Sequence, residues 1–137
     1  MNTPSFLFSL AITLRAVVPA SAQHFLSTAE LPCPDGTGPV RSTTLHSDSA
    51  CTSFLLCIDA GVRPRLHRTH TEHVFVLDGT AEMMLGDSTR AIKAGDVILI
   101  APGTPHAVKV TSSVPLRVIS VQSPHFDGTD RIWLAER

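Results

Sequence analysis

From Val40 onward the chain is written in short apolar runs cut at close intervals by turn-forming pairs, and this punctuation constrains the fold more than any other feature. Thr52 to Asp59 is apolar enough for a core strand, and Val74 to Leu77 is closed by Asp78-Gly79. Ala81 to Leu85 meets Gly86-Asp87, and Ala91-Ile92 leads to Gly95-Asp96. Val97 to Ile100, Ala107 to Val110 and Leu116 to Val121 complete the set, with a weaker alternation over Val40 to His46. Asp-Gly and Gly-Asp pairs supply the positive φ that tight hairpins need. The runs are too short for packed helices, so about eight strands at regular spacing are expected, with no helix among them. The 10 prolines and 8 glycines suit an all-β domain, a sandwich or a jelly-roll barrel.

The length of 137 residues is that of one domain, long enough to bury a core. Its 11 Lys and Arg nearly cancel its 12 Asp and Glu. That balance offers no electrostatic footprint for nucleic acid and no basic face for an anionic membrane, so neither is expected as a partner.

Residues 1–22 read as a signal peptide: an apolar run from Phe6 to Leu14, then Ala16-Val17-Val18, then the small-residue site Pro19-Ala20-Ser21-Ala22. No basic residue precedes the run and Arg15 interrupts it, so an N-terminal helix or strand retained on the domain is the alternative. The run is too short to span a bilayer. With the signal peptide, the expected location is periplasmic or secreted. Residues 23–40, with Pro32-Cys33-Pro34-Asp35-Gly36, form an arm or linker; residues 41–122 form the barrel and 123–137 a C-terminal extension. Cys33, Cys51 and Cys57 make an odd count. Cys51 and Cys57 are too far apart along one strand to bond to each other, so either Cys33 bridges to one of them in an oxidising compartment or all three are idle thiols.

Seven histidines carry the chemistry. His67, His70 and His73 crowd around Glu72, and His106 follows Pro102-Gly103-Thr104-Pro105. Neutral imidazole and carboxylate are ligands for Zn, Fe, Mn or Ni. On an extended strand His70 and Glu72 share a face while His67 and His73 take the other, and a bend at Arg68-Thr69 brings His67 round.

These two stretches resemble the paired motifs of the cupin superfamily. The first motif runs glycine, five residues, His-x-His, three or four residues, glutamate, six residues, glycine. Here Glu72 is followed by six residues and Gly79, and His67 precedes it with four residues between. Arg65 stands where the family has its first histidine. In the second motif Gly95, Gly103 and His106 fall at the family's spacing, with Ala101 for its proline and Val110 for its asparagine. The resemblance covers roughly residues 50 to 122 and is similar to small, single-domain, type-2 (RmlC-like) cupins.

The resemblance implies a jelly-roll β-barrel (a double-stranded β-helix) holding one divalent metal ion, Fe, Mn, Zn or Ni. It puts His67, Glu72 and His106 on ligand positions. Arg65 cannot ligate a cation, so the site either has three ligands or recruits a substitute, for which His70, beside Glu72, is the candidate; the expected set is His67, His70, Glu72 and His106, with His73 outward-facing or structural. Arg65 either binds an anionic substrate or is a solvent-facing residue of a degenerate motif. The implied functions are a metal-dependent enzyme on a small sugar- or acid-like substrate, of dioxygenase, isomerase or lyase type, or a non-catalytic small-ligand-binding or sensory module. A structural role is disfavoured by the retained His67, Glu72 and His106. A homodimer is implied by the same resemblance.

Overall fold

The computed structural model describes residues 25–135; the signal-peptide expectation for residues 1–22 lies outside them. Ten strands follow in chain order: β1 Val40–Ser47, β2 Thr52–Ile58, β3 Gly61–Leu66, β4 Thr71–Asp78, β5 Thr80–Leu85, β6 Ser88–Lys93, β7 Val97–Ile100, β8 His106–Val110, β9 Leu116–Ser123 and β10 Ile132–Trp133. They form two five-stranded antiparallel sheets, ordered β1-β2-β9-β4-β7 and β10-β3-β8-β5-β6. No helix occurs among the described residues. The architecture is the all-β jelly roll expected from the punctuated sequence.

Two strands exceed the expected eight. β3 reads Gly-Val-Arg-Pro-Arg-Leu, which has neither apolar alternation nor an uninterrupted ladder. Pro64 has no N–H to give, and the pairing of β3 with β8 shifts register between Val62 and Arg65. β10 has only two residues and pairs Ile132 with Leu66 and Trp133 with Arg65. Gly61 opens β3 because a Cβ there would stand 2.5 Å from the Val108 carbonyl oxygen.

The inward faces change character along the barrel. On β9 the inward residues are Leu116, Val118, Ser120 and Gln122, apolar at one end and polar at the other. On β4 Val76 and Val74 give way to Glu72, and the register sets Val76 against Val118, Val74 against Ser120 and Glu72 against Gln122. The apolar end packs Ile58, Val76, Ala81, Met83, Ile92, Ile98, Leu116 and Val118 into one core. Each of the larger of these side chains stabilises the fold by roughly 1.5–3 kcal/mol on burial. The polar end is therefore built on strands continuous with the packed apolar core rather than on loops alone.

The N-terminal arm crosses the outer face of the first sheet. A Cys33–Cys57 disulfide, with Cα atoms 5.7 Å apart, ties it to β2, and Cys51 is a free thiol. Arg117 of β9 donates to the carbonyls of Thr28 and Leu31 in the arm.

Candidate metal centre

Three backbone elements from both sheets deliver three side chains to one point. His67 stands just past β3, Glu72 is the second residue of β4, and His106 is the first of β8. They are 2%, 1% and 2% exposed. The Nε2 of His67 lies 3.4 Å from Oε2 of Glu72, and the Nε2 of His106 lies 3.5 Å from the same oxygen. One ligand atom from each residue falls within 4.8 Å of the others.

The hydrogen bonds behind these groups decide what they present. His67 Nδ1 faces the Asp130 carbonyl, and His106 Nδ1 is 3.0 Å from the Thr104 carbonyl. A carbonyl only accepts, so both Nδ1 atoms carry a proton, and in its neutral form each ring turns an Nε2 lone pair inward. Ser120 Oγ donates to Glu72 Oε1 at 2.5 Å and leaves Oε2 on the inner side. His67 Nε2, His106 Nε2 and Glu72 Oε2 are buried and have no hydrogen-bond partner. Three lone pairs converging in a dry interior repel one another unless a cation lies between them. Two imidazoles and a carboxylate, each held from behind, fit a divalent transition metal with open coordination positions.

The electrostatics agree with that donor set. Burial pushes the pKa of His106 down to about 4, with a further lowering from the charge of Arg65, against the upward pull of the Thr104 carbonyl and Glu72. Burial alone would raise Glu72; the contacts of His67 and Ser120 and the charge of Arg65 outweigh it and hold the carboxyl low. Both groups are therefore in their metal-ligating forms at neutral pH.

His70, expected as a fourth ligand, is not brought into this group. β4 begins at Thr71, so His70 sits on the preceding turn and does not share the strand face with Glu72. Its Nδ1 is 2.6 Å from the Asp130 carboxylate and its Nε2 is 3.0 Å from the His125 carbonyl. Both partners only accept, so both ring nitrogens donate, and an imidazolium has no lone pair for a metal. Burial disfavours that charge, but Asp130 and the His125 carbonyl overcome it and raise the His70 pKa. His73 is exposed on the outer face of β4, as expected. The bend at Arg68-Thr69 does bring His67 round. It is held by Asp130, whose carboxylate accepts from the N–H groups of Arg68 and Thr69 at 2.8 and 2.9 Å and from Thr69 Oγ1 at 2.9 Å.

Arg65 is half-buried rather than solvent-facing. It pairs with His106 across β3 and β8, and it lines a cavity of about 40 Å³ inside the barrel together with Glu72 and His106. Its Nε is buried without a partner. Burial lowers its pKa, Glu72 raises it and Arg131 lowers it.

Asp130, Ser120, Thr104 and Phe126 are site residues that sequence reasoning missed. Ser120 and Gln122 carried a signal, since they occupy the core-facing parity of an otherwise apolar strand. Asp130 and Phe126 carried none, because they reach the site from a turn-rich segment more than fifty residues away. Phe126 packs edge-on against His67 and His70, with ring centroids 5.5 and 5.1 Å away. A second group, His46, Asp48 and Cys51, sits on the exposed β1–β2 turn. There Asp48 already caps the N–H groups of Ala50 and Cys51 and pairs with His46, as in an ordinary Asx turn.

Residues 55–122 match the family described as Cupin domain. The chain is 36% identical over 72 residues to mannose-1-phosphate guanylyltransferase 2 of Escherichia coli O157:H7, an alignment covering 53% of this chain and 15% of that protein. The chain thus matches only a small part of that relative. Among solved structures, KdgF from Halomonas sp. superposes with a TM-score of 0.66 at 21% identity, covering 76% of this chain and 97% of that one. Pac13 of Streptomyces, a nucleoside dehydratase, gives 0.65 at 14% identity over 82% and 92% of the two chains. At these identities the structural likeness speaks for the shared fold.

Proposed function

The chain belongs to the cupin superfamily, and on that premise we propose that it holds one divalent metal ion, Fe, Mn, Zn or Ni, on His67, Glu72 and His106 and acts as a metal-dependent enzyme on a small sugar- or acid-like molecule. The observation that carries this reading is the convergence of His67 Nε2, Glu72 Oε2 and His106 Nε2, all buried and all unpartnered. When bound, a metal of this kind acts as a Lewis acid on a substrate oxygen. The protein's own contribution is placement. Asp130 and Thr104 fix the tautomers of the two histidines, Ser120 fixes the carboxylate, and Phe126 covers His67. The relation to a sugar-nucleotide enzyme supports a sugar-like substrate.

A second reading, a ligand-binding module without turnover, is favoured by one observation. Apart from Arg65, Glu72 and His106, every residue lining the inner cavity is apolar, so no further group is at hand there to move a proton. Export to an oxidising compartment is part of the proposal, supported by the Cys33–Cys57 bond. So is a homodimer, supported by the apolar Phe75, Val97 and Leu99 exposed together on β4 and β7.

Elemental analysis of protein purified without chelator or nickel resin tests the metal reading. About one equivalent per chain is expected, lost in Glu72→Ala. Full metal retention by that variant would sink the assignment. With metal loaded, conversion of small sugar acids or sugar phosphates separates the enzyme from the binding module, which is only stabilised by its ligand.

A further inference from the structure

We infer that Arg65 is the anion-binding half of the site, and that the ligand it takes is a carboxylate seated in the inner cavity between its guanidinium and the metal position; this rests on the metal reading above. Four observations carry it. Arg65 is placed by register rather than by chance, since β3 sets it opposite the ligand His106. Its Nε is buried and has no partner, a cost that a native interior rarely bears without a use. The cavity it lines is shared with Glu72 and His106 and is otherwise apolar. Its volume of about 40 Å³ has room for a few waters, and so for a small anionic group.

The charges point the same way. Without a metal, Glu72 and Arg65 balance each other. With a divalent ion on the triad the site becomes doubly positive in a medium of low dielectric, which calls for an anion. A second guanidinium, Arg131, lies over Phe126 at the same end of the barrel, 5.5 Å from the ring centroid. The planar guanidinium fork matches a carboxylate in two parallel hydrogen bonds, which a lysine or histidine in that place could not offer.

Arg65 has opposite effects on the two ligands, and this makes the assignment testable. As a like charge it weakens metal binding, and as a fork it holds the carboxylate. The experiment loads wild type and Arg65→Gln with Co(II), follows the visible absorption to record metal uptake, then titrates acetate and, separately, chloride. Expected in Arg65→Gln are Co(II) uptake at least as tight as in wild type and acetate binding weaker by about tenfold or more. Acetate should change the wild-type spectrum saturably and chloride should not. Unchanged acetate affinity in Arg65→Gln overturns the inference, as does an equal response to chloride, which marks a mere charge effect. Loss of both metal and acetate means Arg65 only supports the fold, and also overturns it. If Arg65→Gln does not fold, Arg65→Lys keeps the charge without the fork and must still lose acetate affinity. Should wild type take up no Co(II), the metal reading fails by itself; calorimetry of acetate with the metal-free protein then decides Arg65, with Arg65-dependent binding upholding it and no binding overturning it.

Discussion

His67 donates its Nδ1 proton to the main-chain carbonyl of Asp130, 63 positions further along the chain. This one contact selects the tautomer that turns the His67 Nε2 lone pair toward Glu72. The Asp130 carboxylate meanwhile pins the turn on which His67 rides, through Arg68, Thr69 and His70. A single residue thus positions His67 with its backbone and the turn that carries His67 with its side chain.

Removing the Asp130 carboxylate is expected to loosen both. Asp130→Ala leaves three main-chain N–H groups, the Thr69 hydroxyl and the His70 imidazolium without their acceptor. Charge-assisted hydrogen bonds contribute about 1.5–3 kcal/mol each and are not additive, so a loss of about 3 kcal/mol is expected in urea unfolding of the metal-free protein. Metal affinity should fall as well, by about tenfold, because His67 loses its fixed approach. An unchanged urea midpoint would show that the turn holds itself.

The ligand assignment predicts a sharp division among the four histidines around Glu72. His67→Ala, His106→Ala and Glu72→Ala should each weaken metal binding at least 100-fold, the upper end of what even outer partners cost (about 10–100-fold). His73→Ala, on the exposed outer face, should leave metal affinity within about twofold. His70→Ala should lower stability while retaining the metal. Isothermal titration of each apo variant with Zn(II) reads all of these, and metal loss in His70→Ala with retention in His67→Ala would reverse the assignment.

The Cys33–Cys57 bond closes a loop with a sequence separation of 24. Loop-closure entropy for that length is worth about 3 kcal/mol. Cys57→Ser, or reduction, should lower the urea midpoint accordingly, with the arm released from β2 while the barrel stays folded. Thiol titration of the denatured, unreduced protein should find Cys51 alone, one of the 3 cysteines. Three free thiols would remove the crosslink from the account.

Acid should destabilise the metal-free protein over a defined window. His106 has its pKa pushed from 6.5 down to about 4 in the fold, so between those values the unfolded chain binds the extra proton. The His106 contribution is therefore full above pH 6.5 and falls as the pH drops toward 4, by an amount on the order of 3 kcal/mol, while His70, whose pKa is raised, acts with the opposite sign and loses its share as the pH rises. Glu72, also lowered, extends the loss below 4.5 with the same sign. Urea midpoints at pH 7 and pH 5 should differ in wild type and converge in a folded His106→Gln variant. Equal midpoints in wild type would contradict the burial argument for His106.

Much of this was legible in local patterns. Turn pairs at Asp78-Gly79, Gly86-Asp87 and Gly95-Asp96 mark strand ends because only certain residues tolerate the backbone there. Gly79, at φ +81° and with a Cβ position 2.8 Å from the Pro115 carbonyl, is the strictest case. β3 escaped notice because Pro64 and two arginines hide a strand whose exposed side is polar and whose ladder breaks at the proline. Parity along an extended chain misplaced His70, since the strand starts one residue later and the preceding turn follows Asp130 instead.

By itself the sequence determined that the chain is a strand-and-turn domain, because turn chemistry and strand period act over a few residues; His67, Glu72 and His106 are picked out by the resemblance to the cupin motifs, whereas strand parity alone sets His67 on the face opposite Glu72. Only the tertiary structure decided that His70 is a charged partner of Asp130 outside the buried triad, that the His67 tautomer is set by the Asp130 carbonyl, and that Arg65 turns inward beside His106. These outcomes depend on register between strands and on contacts across about sixty residues, such as 60 for His70 with Asp130. No local preference encodes which distant acceptor a ring nitrogen will meet; the closing of the two sheets does.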